Sequence, residues 1–196
     1  MRLPVIPASV QENGVDINEV YRNYTPPIPV REVVEQMLAT TPAEYLAGLK
    51  TVVITNSAAL SYARRKGSTR ARGRNVRLAQ AAGFYYREKR GDSASIELIA
   101  DNIVNSAPRW AMQIPVIRDV MVGTAFFREL GNHLQTVGIQ GLRKPQNGAE
   151  GWSSRLTKRF LARRYWYLRP LFTLAAPAAR FAHRRYLRKQ RRSVRP

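Results

Sequence analysis

The sequence predicts an α+β domain in which a small mixed or antiparallel sheet packs on one long central helix, followed by a basic helical C-terminal segment. Three observations predict it. Short β-branched or aromatic runs fall at residues 49–55, 75–79, 83–87 and 94–99, with Gly, Asn or Asp at several of their ends, as strands require. Ile114-Pro115 opens a single long stretch of apolar residues at helical spacing, with proline tolerated in the first turn. From Gly151 to Pro196 there are 14 Lys or Arg and no Asp or Glu, whereas residues 1–150 carry 19 basic and 13 acidic residues.

The elements follow in order. Residues 1–29 contain Pro4, Pro7, Pro26, Pro27 and Pro29 and read as an extended, irregular arm. Val33, Val34, Met37 and Leu38 fall at helical spacing, so a helix is expected over Val30–Ala39, and Thr41-Pro42-Ala43-Glu44 starts a second short one. Leu49–Thr55 is a strand between Gly48 and Asn56, and Ser57 is placed to cap a helix running to about Lys66. Arg64, Arg65, Lys66, Arg70, Arg72, Arg74 and Arg77 then surround a turn containing Gly and Ser. Such a run is either a phosphate-attracting patch or a solvated face. Gly91-Asp92 turns the chain between the strands at 83–87 and 94–99. On the long helix, from about Pro115 to Leu134, the residues Val116, Val120, Met121, Thr124, Ala125, Arg128 and Asn132 form one stripe, expected to face the core. The arm (1–29), the domain (30–175) and a basic tail (176–196) are the expected divisions.

Composition bounds the function. With 196 residues and 44% hydrophobic content the chain is long enough for one domain with a real core. The absence of cysteine excludes disulfides and Cys-based zinc or redox sites. No apolar run reaches membrane-span length, and Met1–Pro7 is too short and proline-broken for a signal segment. The expectation is a cytoplasmic protein, peripherally attached to a membrane if its net charge of +20 meets anionic lipid. With two histidines, nucleophilic triads are nearly excluded, and no glycine-rich phosphate loop follows a strand.

One stretch of the long helix carries the shape of a known chemistry. Phe126-Phe127-Arg128-Glu129-Leu130-Gly131-Asn132-His133 has the frame of a His-Glu-x-x-His helix, in which two histidines four apart hold zinc and the glutamate acts on zinc-bound water. The histidine positions read Arg128 and Asn132, and a guanidinium has no lone pair for a metal. The plain alternative is an amphipathic core helix on which Arg128 and Asn132 are its polar ends. A zinc site shifted to Glu129, His133 and Glu150 would be an unusual ligand set.

A wider pattern surrounds this helix. Thr41-Pro42-x-x-Tyr45-Leu46-x-Gly48-Leu49, Val53-Ile54-Thr55-Asn56, Gly83-Phe84-Tyr85 and Ile96-Glu97-Leu98-x-x-Asp101-Asn102-Ile103 precede it, as does Pro108-Arg109-Trp110. Trp152-Ser153-Ser154-Arg155-Leu156 and Arg163-Arg164-Tyr165-Trp166-Tyr167-Leu168-Arg169-Pro170 follow it. In this order, over roughly residues 28–174, the chain resembles a family of small bacterial zincin-like metallopeptidases. The resemblance implies a minimal zincin-like fold. It also implies that Arg128 and Asn132 stand in the zinc-histidine positions, that Glu129 occupies the general-base position, and that Gln146 or Glu150 occupies the third-ligand position. An ion pair of Arg128 with Glu129 or Glu150 would then fill the vacated pocket.

The C-terminal segment interleaves aromatic and basic residues. Arg163, Arg164, Trp166, Arg169, Arg180, Arg184, Arg185, Arg188 and Lys189 suit an anionic membrane surface. The same interleaving suits nucleic acid, and the plain reading has Tyr165, Trp166, Leu168, Leu171 and Phe172 capping the core while the last dozen residues fray in solvent. Together these readings lead to a noncatalytic metallopeptidase-like binding or scaffold module that needs no cofactor. Two rivals stand beside it: an active metallopeptidase with zinc in an altered site, and a nucleic-acid-binding protein that uses the basic segment.

Overall fold

The computed structural model describes residues 14–71, 74–88, 93–138 and 148–168. The chain divides into two compact units, Met1–Phe160 and Leu161–Pro196. In the first, a four-stranded sheet has the order β1-β2-β6-β5. β1 (Asp16–Val20), β2 (Leu49–Thr55) and β6 (Ala94–Ile99) run parallel, and β5 (Gly83–Tyr86) is antiparallel to β6 at the edge. The sheet is therefore mixed, within the α+β class the sequence pattern implies.

The stretch read as an irregular arm contributes β1. Its sequence, Asp16-Ile17-Asn18-Glu19-Val20, buries Ile17 alone. It still pairs with β2 from Asp16↔Thr51 to Val20↔Thr55. Asn56, buried at the end of β2, fixes the exit of this strand by accepting from the Arg22 N–H at 2.9 Å and donating to the Arg22 carbonyl at 3.0 Å.

The parallel connection from β1 to β2 is made by α1 (Val30–Thr40) and the single-turn α2 (Ala43–Leu46), which starts directly after Pro42. α1 buries Val30, Val33, Val34, Met37 and Leu38, the stripe its sequence spacing gives. After β2 the chain departs from expectation. Ser57–Ala59 is a 3-10 turn rather than the start of a longer helix, and Ser61 caps the short α3 (Tyr62–Lys66) by accepting from Arg64 N–H at 3.4 Å. The Ser57 hydroxyl instead donates to Asp101, which also accepts from the Ser57 N–H at 2.9 Å. β3 (Ser68–Ala71) and β4 (Arg74–Arg77) form a separate antiparallel hairpin, so the strand expected at 75–79 is outside the main sheet and ends in a 3-10 turn at Leu78–Gln80.

α4 (Ala100–Asn105), α5 (Arg109–Met112) and the long α6 (Pro115–Val137) complete the helical layer. With 23 residues, α6 is about 35 Å long. It packs on β5, β6 and α1. It stops at Gly138, whose φ of 64° is left-handed and whose N–H reaches Leu134 O at 3.2 Å. Register places Ile17, Val52, Ile96 and Tyr85 in one row across the face turned to the helices, and Ile54, Leu98 and Gly83 in the next. Against these rows α6 buries Phe126 and Leu130, while Phe127 is buried toward Phe160, ring centroids 6.4 Å apart; each contributes about 1.5–3 kcal/mol relative to exposure.

α7 (Gly148–Arg164) lies against α6 along a seam of small residues. A Cβ on Gly131 would stand 2.8 Å from Ala149 O, and one on Gly123 would stand 3.5 Å from Thr157 Cγ2. Ser153 donates to Thr124 O at 3.1 Å between these points. The opposite face of the sheet has no helix layer among the described residues other than α3. In the second unit, α7 runs out at Arg164 into a 3-10 turn, Trp166–Leu168.

Candidate functional site

The face of α6 that meets the sheet carries Glu129 and His133, one turn apart. Both are buried, at 5% and 1% exposure, while Arg128, Asn132 and Met121 are only half-buried and Thr124 is exposed. The core-facing stripe is thus rotated by one residue from the one expected. Its buried members are Asp119, Val122, Phe126, Glu129, Leu130 and His133. The physical reason is pairing: a carboxylate and an imidazole can be buried where every polar atom finds a partner.

Glu129 lies beneath the edge strand, its Cγ 3.1 Å from where a Gly83 Cβ would be. Glycine at 83 is what gives the side chain room. One carboxylate oxygen accepts from Asn132 Nδ2 at 2.8 Å and the other from Arg128 Nε at 3.4 Å. The two residues that flank Glu129 on the helix therefore turn their donors on it. Arg128 supplies the compensating charge while its side chain stays 40% exposed. Arg128 thus engages Glu129, one of its two expected partners.

His133 is held at both ring nitrogens. Nε2 is 2.9 Å from Ala47 O, and Nδ1 is 3.2 Å from the Tyr85 hydroxyl. A carbonyl only accepts, so Nε2 carries the proton and Nδ1 accepts from Tyr85. The Tyr85 ring meets the imidazole edge-on, with centroids 5.4 Å apart. Burial pushes the His133 pKa down and the Tyr85 pKa up, so at neutral pH both are uncharged. A cleft of ≈ 190 Å³ opens beside them, lined by Gly48, Tyr85, Arg87, Glu88, His133 and Thr136 among others.

These donors do not fit a zinc ion. Arg128 offers no lone pair, Asn132 offers only an amide oxygen where zinc takes imidazole, thiolate or carboxylate, and neither nitrogen of His133 is open. The shifted set of Glu129, His133 and Glu150 is not assembled: no group of three or more His, Cys, Asp or Glu able to hold a metal occurs among the described residues. Glu150 is exposed in the first turn of α7. Gln146 lies outside the described residues.

Two further residues of the site, Tyr85 and Gly83, entered the sequence reading as parts of a strand and of the Gly83-Phe84-Tyr85 motif, with no role assigned to either. Their positions in the inner-face rows, opposite Ile96 and Leu98, are what bring them to α6, and no local motif signals that. Tyr45 and Trp152 meet edge-on at 5.8 Å, and the Arg155 guanidinium lies 5.2 Å from the Trp152 ring centroid.

On the opposite face of the sheet, Arg64 from α3 makes a bidentate ion pair with Glu97, Nη1 to Oε1 at 3.2 Å and Nη2 to Oε2 at 2.5 Å. Tyr86 donates to the same carboxylate at 2.7 Å. The Arg64 guanidinium lies 5.0 Å from the Phe84 ring centroid and 5.4 Å from that of Tyr86. The bond to Glu97 raises the Arg64 pKa further, while burial and the anionic neighbour raise that of Tyr86.

In the second unit, Trp166 and Tyr167 are 68% and 55% exposed and meet edge-on. Arg163 is exposed, and the Arg164 guanidinium lies 5.7 Å from the Tyr165 ring. Arg169, Arg180, Arg184, Arg185, Arg188 and Lys189 lie outside the described residues. No helix among the described residues is long and apolar enough to cross a membrane. Comparison with known proteins gives no family model that matches this chain and no curated protein similar to it.

Proposed function

We propose that this chain is a noncatalytic, zincin-like binding or scaffold module that carries no zinc and meets anionic membrane surfaces through its basic C-terminal segment. The observation that carries the reading is the fate of Glu129. In a working metallopeptidase helix this carboxylate must be free to take a proton from metal-bound water. Here it is buried and hydrogen-bonded by Arg128 and Asn132, the residues that stand in the two ligand positions. A guanidinium a few ångströms from any divalent cation would repel it by several kcal/mol even at an effective dielectric of about 20.

The neighbours of α6 support the same reading. Gly83 and Tyr85 on β5, Gly48 after α2 and Trp152 on α7 are drawn from the motifs that carry the resemblance, and all of them border α6. A frame of this kind with its ligands replaced retains the means to hold a partner without the means to cut it. The exposed Trp166 and Tyr167 beside Arg163 and Arg164 have the chemistry of an interfacial anchor, an amphipathic ring next to a cation.

The test is proteolysis of an unfolded protein substrate with and without added zinc. No metal-dependent cleavage is expected. Zinc-dependent cleavage abolished by Glu129→Gln would show an enzyme with an altered metal site. The membrane arm is checked by sedimentation with anionic vesicles, where binding should fall steeply between low and physiological salt and weaken on Trp166→Ala.

A further inference from the structure

We infer a second interaction surface, on the side of the sheet away from α6, which binds single-stranded nucleic acid. It is independent of the reading of the α6 site. The helices pack against one face of the sheet, and the other face presents Asn18, Val53, Glu97 and Phe84 in one row and Asp16, Thr51, Ser95 and Tyr86 in the next. All eight residues are half-buried or exposed. α3 is the element fastened to this face, through Arg64, and it delivers the hairpin β3–β4 beside it, since Leu78 N–H closes on Gly67 O at 2.9 Å.

Charge and rings coincide here. Residues 62–77 contain seven Lys or Arg and no Asp or Glu. Among the four of these whose side chains are described, Arg64 is spent on an internal carboxylate, Glu97. Arg65, Lys66 and Arg77 are exposed. Tyr62 is 65% exposed with the Lys66 ammonium 4.6 Å from its ring centroid, and Tyr86 is 40% exposed. The bidentate Glu97–Arg64 pair, lying against Phe84 and Tyr86, holds those two rings in place rather than adding net charge. Exposed rings with cations at hand are what unpaired bases stack on, while the remaining cations follow the phosphates.

The composition argues for nucleic acid over lipid. Between Ser68 and Arg77 the only large apolar residue is Val76, so the hairpin has little to insert below a headgroup layer, and insertion is what holds an interfacial element in place. A fixed duplex would leave the exposed rings without base faces. The occupant to which the surface commits is a strand with unstacked bases.

The experiment uses the full chain and a short fluorescent oligonucleotide, with the hairpin duplex of the same sequence and anionic vesicles as competitors. Tyr62→Ala, at an exposed position that leaves the core untouched, should weaken single-strand binding about tenfold with little change in salt dependence. The triple change Arg65→Ser, Lys66→Ser and Arg77→Ser should lower the slope of log K against log salt by about two, at about 0.7 per lost single-strand phosphate contact. A bromouridine oligonucleotide should cross-link to Tyr62 or Tyr86. Unchanged binding in both variants, with cross-links confined to the C-terminal segment, would overturn the proposal. So would vesicles or duplex competing as well as the single strand.

Discussion

Asn132 turns its side-chain amide back by one helical turn to donate to Glu129 at 2.8 Å, which makes it a member of the helix's internal bonding rather than a group offered to solvent. The i, i+3 spacing allows this contact on any helix. What gives it consequence here is that Glu129 is buried under β5 and needs every donor it has.

The first prediction concerns zinc. Purified without chelator, the wild-type chain should contain far less than one zinc per molecule by elemental analysis. Arg128→His combined with Asn132→His restores imidazoles four apart and removes the fixed charge, so zinc affinity by calorimetric titration should rise at least tenfold. An unchanged affinity would mean that the helix face lacks the frame assigned to it.

Gly131 tests the α6–α7 seam. On an open helix surface, replacing glycine by alanine gains up to about 1 kcal/mol. Here the new Cβ would sit 2.8 Å from Ala149 O and 3.0 Å from Ala149 Cα, both backbone atoms. Gly131→Ala should therefore destabilise by about 1–3 kcal/mol, read as a lower urea midpoint at unchanged slope. A higher midpoint would show that the two helices are farther apart than described.

His133 gives stability a pH dependence of defined sign. Its folded pKa lies below the ordinary value because burial disfavours the cation. The unfolded chain therefore binds the proton more readily. The contribution is complete above the unfolded value of about 6.5 and declines as pH falls from there towards the folded pKa. His133→Gln should flatten that part of the stability profile. An unaltered slope just below about pH 6.5 would assign it to other groups.

The Arg64–Glu97 pair should behave as a coupled unit. A double-mutant cycle with Arg64→Ala and Glu97→Ala is expected to give about 1–2 kcal/mol of interaction by urea unfolding. Arg64→Lys should recover little of it, because an ammonium cannot bond both carboxylate oxygens in the same plane while lying against Phe84 and Tyr86. Full recovery by lysine would reduce the pair to simple charge attraction.

The parts of the fold legible in the sequence were those with dense local signals. The β-branched run at Leu49–Thr55, the stripe in α1 and the proline-started α6 all appear with nearly the bounds expected. β1 was not legible because an edge strand needs few buried side chains, and charges such as Asp16 and Glu19 suit an edge. The orientation of α6 was misread because periodicity treats Glu129 and His133 as outward-facing. Their burial depends on Ala47, Tyr85 and Asn132, partners that hydropathy cannot register. Ser57 looked like a helix cap, but its acceptor, Asp101, is distant in sequence.

The pairing of β2 has a consequence for how the chain is made. Val52 lies between Ile17 on one side and Ile96 on the other, so the central strand cannot be completed until β6 has been synthesised. At about 5–20 residues per second, β2 would wait about 2–9 s for that neighbour, and longer for α6 to cover Val52 and Ile54. During that interval a β-branched apolar segment is presented with one edge open, the state in which a nascent chain is most exposed to mispairing and to capture by chaperones.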